Sequence, residues 1–241
     1  INADVFSMCI ADSGGHLTVG GQNTSYHMGQ VKNIQMKLSG GFFNVQLTEM
    51  SIAGNSATGF RNTIIDSGTT WTYFGSTPYR AIRKGIEDFC STHQRCGSLS
   101  GSCWSVSELG GFPDLEMNFN GVKVKWVPRA YLHRGKGSQR WCYSFQDDGP
   151  GASTVLGASW MMHQDVIFNM PEQVVGVVPA ECPEFHIRPN HNPADLLEER
   201  STRAPARGGP PPKRFKAKKF NVGLLWAGLA SGACLATGFI S

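Results

Sequence analysis

Asn62-Thr63-Ile64-Ile65-Asp66-Ser67-Gly68-Thr69-Thr70 is the stretch on which the reading of this chain turns. Two β-branched residues, Ile64 and Ile65, favour a strand, and that strand runs into an aspartate followed at once by small and hydroxyl residues. Gly68 permits a tight turn and a close approach of its N–H to the carboxylate. Ser67 and Thr69 offer short hydroxyls that bond within the loop or to a bound peptide. Taken alone, Asp-Ser-Gly is an ordinary turn, because all three residue types favour turns.

Outward from this stretch the chain reads as β-structure with little helix. Short apolar runs such as Val5-Phe6-Ser7-Met8-Cys9-Ile10 are punctuated by Gly14-Gly15 and Gly20-Gly21. Phe43, Val45 and Leu47 alternate with Asn44, Gln46 and Thr48, the period of a half-buried strand. After the aspartate one good helix is expected, with Thr77 as N-cap, Pro78 in the first position and an end near Cys90. Tyr79, Ile82, Ile86 and Phe89 fall on one face of it. Leu115, Met117 and Phe119 then alternate toward Asn120-Gly121, and Val122, Val124 and Trp126 alternate away. That pattern predicts a tight hairpin with Lys123 and Lys125 in solvent. Further strands are expected around residues 141–145, 166–168 and 174–178. The fold class is mainly β.

Charge divides the 241-residue chain into three parts. Residues 1–185 carry 13 Lys+Arg against 15 Asp+Glu, and residues 186–219 carry 9 against 3. The last 22 residues carry none. The basic charge therefore sits on a Pro-rich stretch whose composition does not bury a core, and nucleic-acid binding, which wants that charge on a folded surface, is not expected. Residues 186–219 read as a linker. Residues 220–241 are long enough to cross a lipid bilayer as a helix, since about 20 apolar residues suffice. Gly228 and Gly232 would permit close helix contact in lipid. A removable anchor signal attached at Gly208-Gly209 is the alternative reading of the tail.

Seven cysteines occur, six of them before residue 185. None has the Cys-x-x-Cys spacing of a zinc ribbon, and no metal or cofactor is expected. An even, dispersed set of six suggests three disulfides and an oxidising compartment, with six buried free thiols as the other possibility. Cys90 and Cys96 are close enough in sequence to suggest a pair. The histidines are scattered singly and read as loop or surface residues. Trp104, Trp126, Trp141 and Trp160 read as core, and Asp147-Asp148-Gly149-Pro150 as a solvated loop. Asp12-Ser13-Gly14 reads as a β-turn.

Later in the chain come Ser153-Thr154-Val155-Leu156-Gly157-Ala158-Ser159-Trp160, Asp165-Val166-Ile167-Phe168-Asn169, Val174-Val175-Gly176-Val177 and Cys182. With Asp66-Ser67-Gly68-Thr69 this order resembles the C-terminal lobe of pepsin-like aspartic proteases, over roughly residues 5–183. Cys103-Trp104, Gly111-Phe112-Pro113-Asp114-Leu115, Lys125-Trp126-Val127-Pro128, Tyr131-Leu132 and Trp141-Cys142 look more narrowly like plasmepsin V and its membrane-anchored apicomplexan relatives. Asn169 stands where that pattern usually has Asp, and Val175 where Arg is common.

The resemblance implies one lobe, residues 1–185, of a bilobal aspartic endopeptidase. It implies Asp66 as catalytic, Gly68, Thr69 and Thr70 as substrate-binding, and Ser67 and Gly157 as loop support. It also implies the pairs Cys9–Cys182 and Cys103–Cys142. Polypeptide substrates, a lipid bilayer and an N-terminal lobe with the second aspartate are the implied partners. The implied location is the membrane of the secretory pathway, ER or Golgi, with the lobe lumenal. A non-catalytic, membrane-tethered binding protein that kept one such lobe is the competing reading, and a homodimer of single lobes a third.

Overall fold

The computed structural model describes residues 4–135 and 138–184. Strands β1 (Val5–Ala11) and β2 (Gly14–Val19) open the chain, followed by β3 (Lys32–Ser39), β4 (Phe42–Val45), β5 (Glu49–Ile52) and β6 (Asn55–Ala57). Strand β7 (Thr63–Ile65) leads into the Asp66 loop, β8 (Thr72–Phe74) leaves it, and helix α1 (Ser76–His93) follows. Then come β9 (Ser98–Ser100), β10 (Cys103–Ser105), β11 (Leu115–Phe119), β12 (Val122–Trp126), the short helix α2 (Pro128–Tyr131) and β13 (Leu132–Arg134). Strands β14 (Arg140–Tyr143), β15 (Phe145–Asp147) and β16 (Thr154–Leu156), helix α3 (Ala158–Met161), β17 (Gln164–Asn169) and β18 (Val174–Pro179) complete it.

One sheet of ten strands holds the site, in the order β15-β8-β16-β7-β4-β3-β18-β17-β1-β2. Two sheets of four, β13-β14-β10-β9 and β12-β11-β5-β6, stand beside it. Most neighbours are antiparallel. The exceptions lie at the site: β16 runs parallel to β7, and β15 parallel to β8. Parallel neighbours cannot be joined by a tight turn, so both pairs are closed by long excursions through the rest of the lobe.

Burial follows pattern. Strand β1 alternates buried and half-buried residues, whereas Gln164 to Phe168 of β17 are all buried, as in a strand covered on both faces. Strand β2 forms a sheet edge and leaves Leu17 and Val19 in solvent. The core gathers Trp126, Trp160, Phe74, Phe145, Ile82 and Ile86, all essentially sealed from solvent. The Asn120-Gly121 hairpin forms with the expected register, Leu115 opposite Trp126 and Phe119 opposite Val122. Both turn residues have positive φ, 50° and 97°, as a two-residue hairpin of this hand requires.

Two expectations need correction, the bounds of α1 and the burial of Trp141. Helix α1 starts at Ser76, with Gly75 rather than Thr77 at its N-cap, and runs to His93 rather than stopping near Cys90. Gly75 packs against the Ala152 carbonyl, where a Cβ would be crowded at 3.0 Å, and the Ser76 N–H is taken by the Gly149 carbonyl. The loop around Asp147 is exposed, as expected, and is also tied down. Asp147 accepts hydrogen bonds from the Ser76 hydroxyl and the Gly149 N–H, which together hold its carboxyl below the usual range and tie the loop to the start of α1. Trp141 is only half-buried, with the Arg134 guanidinium 5.4 Å from its ring centre, while Trp104, Trp126 and Trp160 are core.

Three disulfides brace the lobe. Cys9–Cys182 joins its first strand to the segment after its last, Cys90–Cys96 closes a short loop at the end of α1, and Cys103–Cys142 crosses β10 to β14. Asn169, where the family pattern usually has Asp, still accepts the turn hydrogen bond from the Glu172 N–H. The linker and span expected over 186–219 and 220–241 lie outside the described residues. Among the described residues no helix is long and apolar enough to cross a membrane.

Candidate active site

Asp66 sits where β7 ends, and a second segment holds it there. The pairing of β16 with β7 sets Val155 beside Ile64 and Leu156 beside Ile65, so the Asp66 N–H donates to the Leu156 carbonyl at 3.0 Å. The contact continues past the strands. The Ala158 N–H donates to the Thr69 carbonyl at 2.7 Å and the Ser159 N–H to that of Thr70 at 3.0 Å. Between these bonds lies Gly157. A Cβ there would stand 2.1 Å from the Trp71 carbonyl oxygen and 2.7 Å from that of Thr69, a distance no side chain tolerates. Glycine at this position lets the two loops close on each other.

The carboxylate is fixed from within its own loop. Oδ1 accepts the Gly68 N–H at 2.9 Å, and Oδ2 accepts the Thr69 hydroxyl at 2.6 Å. The Thr69 N–H returns to the Asp66 carbonyl, closing the turn. A side chain at Gly68 would meet Oδ1 at 3.2 Å, close enough to crowd the carboxylate. Thr69 thus braces the acid through its hydroxyl, while Gly68 and Thr70 lie exposed at the lip of the loop. Ser67 lines the cleft next to Asp66. Asp66 itself is half-buried, accessible on one side.

That cleft, of about 160 Å³, is walled by aromatic rings that sequence reasoning did not single out: Phe6, Phe42, Phe43 and Phe168. Phe6 stacks on Phe168 at 4.7 Å between centroids, and Phe43 packs on Phe168 at 4.5 Å. Phe6 comes from β1, Phe42 and Phe43 from β4 and Phe168 from β17, so only the sheet order brings the three strands' rings together. The carboxylate therefore opens onto an apolar wall suited to flat or aliphatic side chains.

A buried chain of hydroxyls supports the loop from below and was also missed. Thr72 Oγ1 lies 3.0 Å from Ser159 Oγ, Ser159 donates to the Ser144 carbonyl at 2.9 Å, and Ser144 donates to that of Ala130 at 2.6 Å. All three side chains are sealed from water. Isolated Ser and Thr between large apolar residues were the available signal. Trp71, next after the loop, packs against His133 in a tilted arrangement, 4.3 Å between ring centroids. Burial lowers the His133 pKa from its ordinary value, partly offset by a backbone hydrogen bond at Cys142.

Two of the histidines read as loop or surface residues lie in connecting segments, as expected, but with enclosed side chains beside carboxylates. His27 Nε2 lies 2.8 Å from Asp165 Oδ2, both side chains almost wholly enclosed. His163 Nε2 lies 3.7 Å from Asp12 Oδ1 and draws that carboxyl below the usual range. Asp12, the other aspartate in an Asp-Ser-Gly, stands in the β1–β2 turn as expected and is engaged there.

A mainly β fold carrying a braced aspartate between two interlocked loops is of the pepsin-like aspartyl protease class. Residues 1–180 match the eukaryotic aspartyl protease family, and the chain belongs to it. Among curated relatives it is 25% identical over 199 residues to Aspartic protease 5 of Toxoplasma gondii, covering 78% of this chain and 20% of that protein. It is 24% identical over 186 residues to Pepsin A of Sus scrofa, covering 74% of this chain and 46% of that protein. The chain thus spans less than half the length of either relative.

Proposed function

We propose that this chain is the C-terminal lobe of a two-lobed, membrane-anchored aspartic endopeptidase, contributing Asp66 as one aspartate of its catalytic dyad. The observation that carries the reading is the setting of that carboxylate. It is braced by the Gly68 N–H and the Thr69 hydroxyl, laced to a second loop through Gly157, and opens onto an aromatic cleft. An aspartate that merely turned the chain would have no need of the second loop.

The chemistry requires a partner acid. Two carboxylates about 3 Å apart do not both ionise, so they share one proton. The ionised member takes a proton from water as that water attacks the peptide carbonyl carbon. The protonated member donates a hydrogen bond to the carbonyl oxygen and stabilises the charge that gathers there. Asp66 supplies one carboxylate; the other, with the cover over the substrate, belongs to an N-terminal lobe. Exposed Gly68 and Thr70, with the backbone of Thr69, form the lip against which an extended polypeptide lies.

The three disulfides support an oxidising compartment. The uncharged run at 220–241 supports a membrane anchor; with the disulfides and the likeness to membrane-anchored proteases, the reading is a lumenal lobe in the ER or Golgi that processes secretory or exported proteins. The test compares polypeptide cleavage at mildly acidic pH by the two-lobed protein and by residues 1–185 alone. Cleavage by the first and none by the second is expected. Activity of the isolated lobe that grows with the square of its concentration would point to a homodimer instead, and no cleavage by either would leave a binding protein. For the anchor, alkaline carbonate should leave the full-length protein in the membrane pellet; release into the supernatant contradicts a span.

A further inference from the structure

We propose that Asn23 carries an N-linked glycan, a modification site separate from the aspartate cleft; the inference rests on the lumenal placement proposed above. Asn23-Thr24-Ser25 is the single Asn-x-Ser/Thr triplet in the 241 residues, and its middle residue is not proline. Many other asparagines are present, so a lone acceptor triplet makes the assignment specific.

The fold places this triplet where a bulky, hydrated group fits. It follows edge strand β2 and forms a single turn of 3-10 helix, Thr24–Tyr26, with no buried residue in it. Thr24 and Ser25 are exposed, and Asn23 is half-exposed. The side-chain hydrogen bonds of Asn23 fall on its oxygen. Oδ1 accepts the Ser25 N–H at 3.1 Å and the Ser25 hydroxyl at 2.8 Å. Both bonds use the oxygen, so neither occupies Nδ2, the atom that a glycan would be attached to. The hydroxyl that the triplet demands is thus already paired with the acceptor amide.

The co-substrate is an oligosaccharide held on a lipid pyrophosphate. Transfer forms a bond from Asn23 Nδ2 to the anomeric carbon of the sugar and breaks the bond from that carbon to the pyrophosphate oxygen. The lipid pyrophosphate leaves with the electron pair, and one Nδ2 proton passes to a base of the transferase. No oxidation state changes. The product adds bulk and solubility at the surface without entering the core.

The experiment is digestion of the full-length protein, made in a eukaryotic secretory host, with peptide-N-glycosidase, read by gel mobility and by peptide mass at residue 23. A single step down in mass with Asn23 converted to Asp is expected. Ser25→Ala, which leaves Asn23 in place, should abolish the step, and Ser25→Thr should keep it. An unshifted wild-type protein whose six cysteines are paired overturns the glycan but spares the lumenal reading. An unshifted protein with free thiols overturns both. A shift that persists in Ser25→Ala also contradicts the assignment, because the sugar would then sit elsewhere.

Discussion

The Asp66 N–H donates to the carbonyl of Leu156 across 3.0 Å, so a strand far along the chain sets where the acid stands. The bond belongs to the parallel pair β7–β16, and its extension past the strands depends on the bare Cα of Gly157. Folding of the whole lobe is therefore needed before the acid is in place. Gly157→Ala should separate the loops. Steric insertion of this kind costs about 1–3 kcal/mol. A lower urea midpoint together with reduced peptide cleavage by the two-lobed protein is the expected pair of results.

His27 and Asp165 should couple strongly. Asp165 is 1% exposed and its contact with His27 Nε2 is 2.8 Å, so removing one partner strands the other in the core. Leaving one member of such a buried hydrogen-bonded pair without its partner costs roughly 1–3 kcal/mol. His27→Leu and Asp165→Leu should each lower stability by an amount of that order, and the double variant by clearly less than their sum. Urea unfolding of the four proteins measures the coupling.

The ring of His133 gives the lobe a pH response with a definite sign. Its folded pKa lies below the unfolded value because burial disfavours the charged ring. The unfolded chain thus binds more protons in the window just below the ordinary 6.5, and stability contributed by this site falls as pH drops through that window. His133→Phe keeps a flat ring beside Trp71 and removes the titration. The unfolding midpoint of the variant should change less than that of the wild type between about pH 7 and pH 5, the range where histidine titrates.

Disulfide loss should be graded by loop length. Cys9–Cys182 spans 173 residues and Cys90–Cys96 spans 6. By chain entropy the long bridge contributes about 5 kcal/mol and the short one about 2 kcal/mol. Paired Cys→Ser variants, compared by thermal or urea unfolding, should rank in that order.

Much of this was legible in residues and spacing, for reasons that particular elements make plain. The Asn120-Gly121 hairpin is local: alternation and a turn dipeptide fix its register without help from the rest of the chain. Asp66 was legible because a short strand, an acid and a glycine must be adjacent in sequence to build that loop. The aromatic wall was not, since Phe6, Phe43 and Phe168 meet only through the order of strands in the sheet. His27 and Asp165 escaped for the same reason: nothing near either residue signals a partner so distant. Thr77 was misread as the cap of α1 because the true start is set by packing of Gly75 against Ala152.

The central claim is that Asp66 is half of a proton-sharing dyad. The most direct measurement is peptide hydrolysis at mildly acidic pH by the two-lobed protein carrying Asp66→Asn. The amide keeps the shape and can still be held by Gly68 and Thr69, so folding and peptide binding should persist. Turnover should fall by on the order of 10³-fold or more, as when one member of a cooperating catalytic set is lost. Near-normal turnover by a correctly folded Asp66→Asn protein would contradict the assignment and move catalysis away from this loop.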